Sequence, residues 1–191
     1  MSTIITKHIQ DHIQVISDIF PLTEVIEHTA TKISESLRQG GKIFWMGNGG
    51  SAADCQHLAA EFVGRFEKER KGLSSIALTT DTSILTAVAN DYGFEKIYSR
   101  QLESLCNSKD IVIGISTSGN SENIIQGLQT AKKQGAYTIG FTGLSGGKID
   151  ALVDCCIKVP STRTARIQEA HILLGHIICD IVDTDFSEPQ D

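Results

Sequence analysis

The sequence is short of basic charge, of paired cysteines and of long apolar runs, and each shortage removes a class of function. Lys and Arg number 17 against 23 Asp and Glu, for a net charge of -6. That excludes a general nucleic-acid binder, which carries a basic face, and leaves only a local basic patch open. The five cysteines, Cys55, Cys106, Cys155, Cys156 and Cys179, form an odd set without a CxxC pair. They read as reduced core residues with no metal role. No apolar run is long enough to span a bilayer, and residues 1–15 are charged and mixed rather than a signal-peptide core, so the expected compartment is the cytoplasm. The glycine-rich stretch Gly47-Asn48-Gly49-Gly50 lacks the third glycine of a dinucleotide fingerprint and the Gly-Lys-Ser/Thr of a Walker loop. There is no internal repeat and no low-complexity segment. Of only 3 prolines, Pro21 closes a helical stripe and Pro160 a strand.

What is present is an alternation. At 191 residues the chain suits one domain with a full core. Two apolar stripes at helical spacing come first: Ile9, Ile13, Val15, Ile16 and Ile19, then Val25, Ile26, Ala30, Ile33 and Leu37. Five strand-like runs follow, at residues 42–46, 75–78, 111–115, 137–141 and 155–159. Helical stretches lie between them at 52–65, 85–88, 94–106 and 124–134, and a last helix at 163–182 closes the series. Such alternation predicts a three-layer, doubly wound α/β sandwich around a five-stranded parallel sheet. Ligands bind such sheets beyond the carboxyl ends of the strands. Residues 183–191 read as an acidic, frayed tail.

The chain is organised around residues 111–125. A β-branched run ends in Ser116-Thr117-Ser118-Gly119-Asn120-Ser121, and helical spacing resumes at Ile124, Ile125 and Leu128, with Ser121 placed as N-cap. Free N–H groups and the positive end of a helix dipole, surrounded by the hydroxyls of Ser116, Thr117, Ser118 and Ser121, suit a phosphate without a lysine. Gly47–Ser51 is a second strand-loop-helix junction of the same kind, where glycines admit a ligand close to the backbone. The helix after it carries Gln56, His57, Glu61 and Arg65. His57 and Glu61, four apart, share a face and suit a metal or a proton shuttle. Asn90-Asp91-Tyr92-Gly93 is turn chemistry first and a sugar contact second. On the last helix Gln168 and His176 stand roughly 12 Å apart along the axis. They either reach toward one another, serve different parts of one site, or serve different subunits.

Three segments taken together, Gly47–Ser51 with His57 and Glu61, Ile115–Ser121, and Arg166–Glu169 with His171 and His176, resemble the sugar isomerase (SIS) domain family over nearly the whole chain, and within it the branch acting on seven-carbon ketose phosphates. The resemblance implies a single SIS domain over residues 1–191, with residues 1–40 used in packing and oligomerisation. It also implies a homotetramer with active sites at subunit interfaces. It implies a Zn²⁺ site at His57, Glu61, Gln168 and His176, and phosphate on Ser116, Thr117, Ser118 and Ser121. Asn48, Gly49, Gly50 and Ser51, with Asn90 and Asp91, would hold the sugar, and Arg65 would line the site. The implied activity is aldose–ketose isomerisation through an enediol, with Glu61 and His176 as the proton-transfer groups, in the synthesis of heptose precursors for lipopolysaccharide or another surface glycan. Some members carry an acid where this chain has Ala165, which puts a proton relay through that position in doubt. A rival is a non-catalytic phosphosugar binder of the type that associates with the bacterial replication initiator; such relatives lack residues matching Glu61 and His176. A third expectation is a different phosphosugar, such as a pentose phosphate.

Overall fold

The computed structural model describes residues 2–187. Two helices, α1 (Ser2–Asp18) and α2 (Thr23–Arg38), are joined by one turn of 3-10 helix around Pro21. Then follow β1 (Ile43–Gly47), α3 (Gly50–Val63), β2 (Ser75–Ala77), α4 (Thr82–Tyr92), α5 (Ser99–Leu105), β3 (Ile111–Ile115), α6 (Glu122–Lys133), β4 (Tyr137–Thr142), the short α7 (Gly147–Asp150), β5 (Cys155–Lys158) and α8 (Thr164–Phe186). All four strand pairings are parallel, in the order β2-β1-β3-β4-β5.

Parallel strands need helical crossovers, and the crossovers cover both faces of the sheet. That is why β1 and β3 are buried along their whole length rather than alternating. Trp45, Ile113, Phe141 and Ile157 point to the layer built from α2, α3 and α8, where Ile33, Leu58, Phe62, Leu174 and Ile178 meet them. Phe44, Met46 and Val112 point to the opposite layer, against Leu102, Ile124 and Leu128 of α5 and α6. The order reverses between β1 and β3, so their following helices leave to opposite faces and open a crevice at the carboxyl ends. Gly47 pairs with Ile115 across that junction. The loops after them therefore emerge side by side at one level.

Several element boundaries depart from the sequence reading. Helix α3 begins at Gly50, so Gly50 and Ser51 belong to its first turn, and it ends at Val63, which leaves Arg65 beyond it. Helix α4 runs through Asn90 and Asp91 to Tyr92. The Asp81 carboxylate caps its start by accepting from the Ile84 N–H, and Gly93 at φ +96° ends it. The stretch at 94–106 divides into a 3-10 turn at Phe94–Lys96 and α5, and Leu105 is 45 % exposed. Ile177 is likewise outward. Helix α8 runs through Phe186, with Asp183 buried, so residues 183–186 form no frayed tail; residues 188–191 lie outside the described residues. The cysteines are free thiols, and four of them are buried. Among the described residues no helix is long and apolar enough to cross a membrane.

Candidate active site

Two clusters of polar side chains stand out, one in the loops at the carboxyl edge of the sheet and one farther along α3 where it meets α8. The first is the Ser116–Ser121 loop. It turns at Gly119, whose φ of +66° suits glycine and whose absent side chain admits the Gly146 carbonyl. Ser121 occupies the N-cap position of α6 but makes no capping bond; its Oγ lies 2.9 Å from Ser116 Oγ. The two hydroxyls therefore face one another across the mouth of the loop, and the first N–H groups of α6 keep no side-chain acceptor from Ser121. Ser118 Oγ accepts from the Asn120 N–H. The Thr117 carbonyl accepts from the Gly143 N–H, tying the loop to the end of β4.

The neighbouring glycine loop is anchored at its start by two contacts. The Tyr98 hydroxyl donates to the Gly47 carbonyl, and burial pushes the Tyr98 phenol well above its ordinary range. Asn48 forms a reciprocal amide pair with Asn123 on α6, at 2.9 and 2.8 Å. One N–H and one oxygen lone pair of Asn48 are left over for a ligand. The Asn48 pair thus joins the two loops into one wall. An open recess beside it is lined by Asn48, Ser121, Asn123, Gln126, Phe94 and Glu95. Asn90 and Asp91 bond to each other at the exposed end of α4 and are not among the residues lining that recess.

The second cluster joins α3 to α8. His57 Nε2 lies 2.8 Å from His176 Nε2, so one ring donates and the other accepts. Glu61 Oε1 is 3.5 Å from the same His57 nitrogen. The contact depends on how closely the helices cross. A methyl group at Gly175 would sit 2.6 Å from both Leu58 Cδ atoms, so the bare glycine leaves Leu58 in place where α8 brings His176 onto α3. The Phe66 ring stacks on His176 at 5.3 Å between centroids and 26° between planes. Asp54, one turn before His57, feels both imidazoles; its half-burial raises its carboxyl above the usual range, and the two rings oppose that. Sequence reading missed Asp54, although its place three residues before His57 puts it on the same face. It also missed Asn123 and Phe66, for which spacing gave no signal.

Gln168, on α8, meets α3 at a different place. A methyl group at Gly50 would stand 2.7 Å from Gln168 Nε2, about two turns before His57. Gln168 and His176 therefore serve successive places along one helix. Arg65 is half exposed, with its guanidinium on the Glu67 carbonyl and 3.5 Å from Glu69. Arg166 and Glu169 tie α8 to α1: Arg166 donates to Glu169 and to the His8 carbonyl, and Glu169 Oε2 is 2.7 Å from His12 Nδ1. His171 is fully buried, 3.1 Å from the Thr142 carbonyl, and burial pushes its imidazole down to about 4.

Two imidazoles and a carboxylate are donors that suit zinc, whose ligands stand about 2.0–2.2 Å from the metal. Among the described residues, no group of three or more His, Cys, Asp or Glu forms a preassembled metal cage. In the structure the two rings are drawn together by their own hydrogen bond. The donor chemistry fits, and a modest parting of the two rings would open the position between them.

Known proteins share both the sequence and the shape of this chain. The profile of the SIS domain family matches residues 8–143. A phosphoheptose isomerase of Helicobacter hepaticus is 50% identical over 188 residues, covering 98% of this chain and 96% of that protein. One from Aneurinibacillus thermoaerophilus is 54% identical over 186 residues, covering 96% and 94%. The solved structure of phosphoheptose isomerase from Neisseria gonorrhoeae superposes with a TM-score of 0.91 at 43% identity, over 96% of this chain and 98% of that one.

Proposed function

The chain belongs to the SIS domain family and is a sugar phosphate isomerase of the aldose–ketose kind, and on that premise we propose that it converts D-sedoheptulose 7-phosphate to D-glycero-D-manno-heptose 7-phosphate. The product would feed heptose precursors of lipopolysaccharide or another surface glycan. One observation carries the reading: a carboxylate and an imidazole from distant parts of the chain, Glu61 and His176, meet around His57 on α3, the helix that leaves the glycine loop beside the Ser116–Ser121 loop.

The chemistry follows from that placement. Ser116, Thr117, Ser118, Ser121 and the first N–H groups of α6 bind the phosphate, which fixes the far end of the sugar. Asn48, Gly49, Gly50 and Ser51, with Asn90 and Asp91, hold hydroxyls, and Arg65 and Gln168 line the site. Glu61 takes the proton from C1 of the ketose, and the carbonyl at C2 becomes an enediol. Reprotonation at C2 and removal of the hydroxyl proton at O1 give the aldose. His176 moves the hydroxyl protons. Holding the sugar at both ends lowers the barrier by fixing the geometry of transfer. His57, Glu61 and His176 would hold zinc, which when bound supplies a Lewis acid that polarises the carbonyl; Gln168, which the sequence reading placed with them, meets α3 at Gly50 and would line the site instead.

We further propose a homotetramer. Helix α1 shows solvent Ile4, Ile5, Ile9 and Ile13, each more than half exposed, and the groove between α1, α2 and α8 is lined by Ile16, Ile19, Phe20, Leu173 and Ile177. A surface this apolar suits burial against further copies.

The test is incubation with D-sedoheptulose 7-phosphate in D₂O, read by mass spectrometry. The expected result is an aldose phosphate carrying solvent deuterium at C2. Turnover of a pentose phosphate but not of the heptulose phosphate would replace the substrate assignment.

A further inference from the structure

The loop between α3 and β2 is held by a buried ion pair. Arg70 Nε lies 2.6 Å from Asp183 Oδ1, with side chains 2 % and 1 % exposed. Asp183 Oδ2 accepts the backbone N–H groups of Phe66, Glu67 and Lys68 at 3.2, 2.9 and 3.0 Å. Burial alone would raise the Asp183 carboxyl; the Lys68 and Glu67 amides, with Arg70, overrule it and hold it below the usual range. The Arg70 guanidinium donates in turn to the carbonyls of Glu61, Phe62, Gly64 and Lys71, at 2.9, 2.9, 3.2 and 3.2 Å. It thereby caps the carboxyl end of α3, where helical carbonyls lack partners and a cation is favoured.

Stability alone does not account for this arrangement, since desolvation offsets most of what a buried ion pair gains. What the pair touches is more telling. Arg70 holds the main chain of Glu61. Asp183 sits seven residues after His176 on α8, on the same side of the helix, and gathers the loop whose Phe66 stacks on the His176 ring. We propose that Arg70 and Asp183 are positioning residues for the Glu61–His176 pair: the clamp fixes the end of α3 to α8, and the loop between lays Phe66 on the imidazole so that it faces Glu61 and His57. The catalytic part of this inference rests on the isomerase reading above; the clamp itself does not.

The experiment compares Asp183→Asn, Arg70→Lys and Phe66→Leu with the parent in two readouts, with and without saturating zinc. The first is the His176 ring-proton resonance at one fixed pH, assigned through His176→Gln. Asp183 does not touch His176, so a resonance displaced in Asp183→Asn toward its position in Phe66→Leu reports loss of the ring stack through the loop. The second is turnover, where kcat is expected to fall about tenfold to a hundredfold with KM within about twofold of the parent. An unmoved His176 resonance in Asp183→Asn, or unchanged kcat in an active protein, overturns the proposal. If Asp183→Asn fails to fold, Arg70→Lys, which keeps the charge and loses the fork, decides by the same two readings. If the parent does not isomerise the sugar, the resonance alone decides the clamp, and the isomerase reading fails separately.

Discussion

Glu61 and His57 occupy one face of α3, and the His57 ring nitrogen is already taken up by His176, which leaves the Glu61 carboxylate to take a carbon proton. Glu61→Gln keeps the shape and removes the base. Turnover is expected to fall by about 10²–10⁴-fold while calorimetry still detects sugar phosphate binding; a mutant that turns over normally removes Glu61 from this role. The hydroxyls proposed to hold the phosphate, in the Ser116–Ser121 loop, would act on binding instead. Ser116→Ala removes one of two facing hydroxyls, and a hydrogen bond to a charged group is worth about 1.5–3 kcal/mol. KM should rise about tenfold or more with kcat nearly kept, measured by initial rates.

At the scale of elements, the crossing of α3 and α8 decides whether there is a site. Gly175→Ala would gain about 1 kcal/mol of helix propensity in isolation. Here the new methyl meets Leu58, and overpacking of this kind costs about 1–3 kcal/mol. The net expectation is a lower Tm together with a lower kcat, because His176 moves off His57; a variant with raised Tm and full activity contradicts it. This crossing also marks where sequence reading stopped. The β-branched run before Ser116 and the i,i+4 spacing of His57 and Glu61 are local patterns, so β3, the polar loop after it and half of the second cluster could be read directly. The meeting of His57 with His176 depends on a tertiary approach that a lone glycine permits, and spacing along α8 left three arrangements open. Asn90 and Asp91 read as a turn by composition. The Asp81 cap and the Gly93 break place them in a helix instead. Phe66 gave no pattern at all, since its role depends on a loop tied from outside.

At the scale of the whole molecule, His171 makes stability depend on pH. Its folded imidazole is pushed from 6.5 down to about 4 by burial. The unfolded chain therefore binds the proton first, and stability present above about pH 6.5 is lost as pH falls toward 4, by an amount of order 3 kcal/mol. Chemical denaturation across that range should show the decline, and His171→Gln, which still offers an N–H to the Thr142 carbonyl, should flatten it. Assembly is the other property at this scale. If the apolar face of α1 is an interface, Ile9→Glu with Ile13→Glu should reduce the sedimenting mass from a tetramer to smaller species. An unaltered mass would place the interface elsewhere.

Because the last turn of α8 carries the residue that fastens the loop over His176, that turn is an extension of the pocket. A protease nick or an engineered truncation just ahead of Asp183 removes none of the groups proposed to handle sugar or protons, yet it cuts the tether on Phe66. Shortened versions of the protein should therefore lose catalytic quality before they lose their fold.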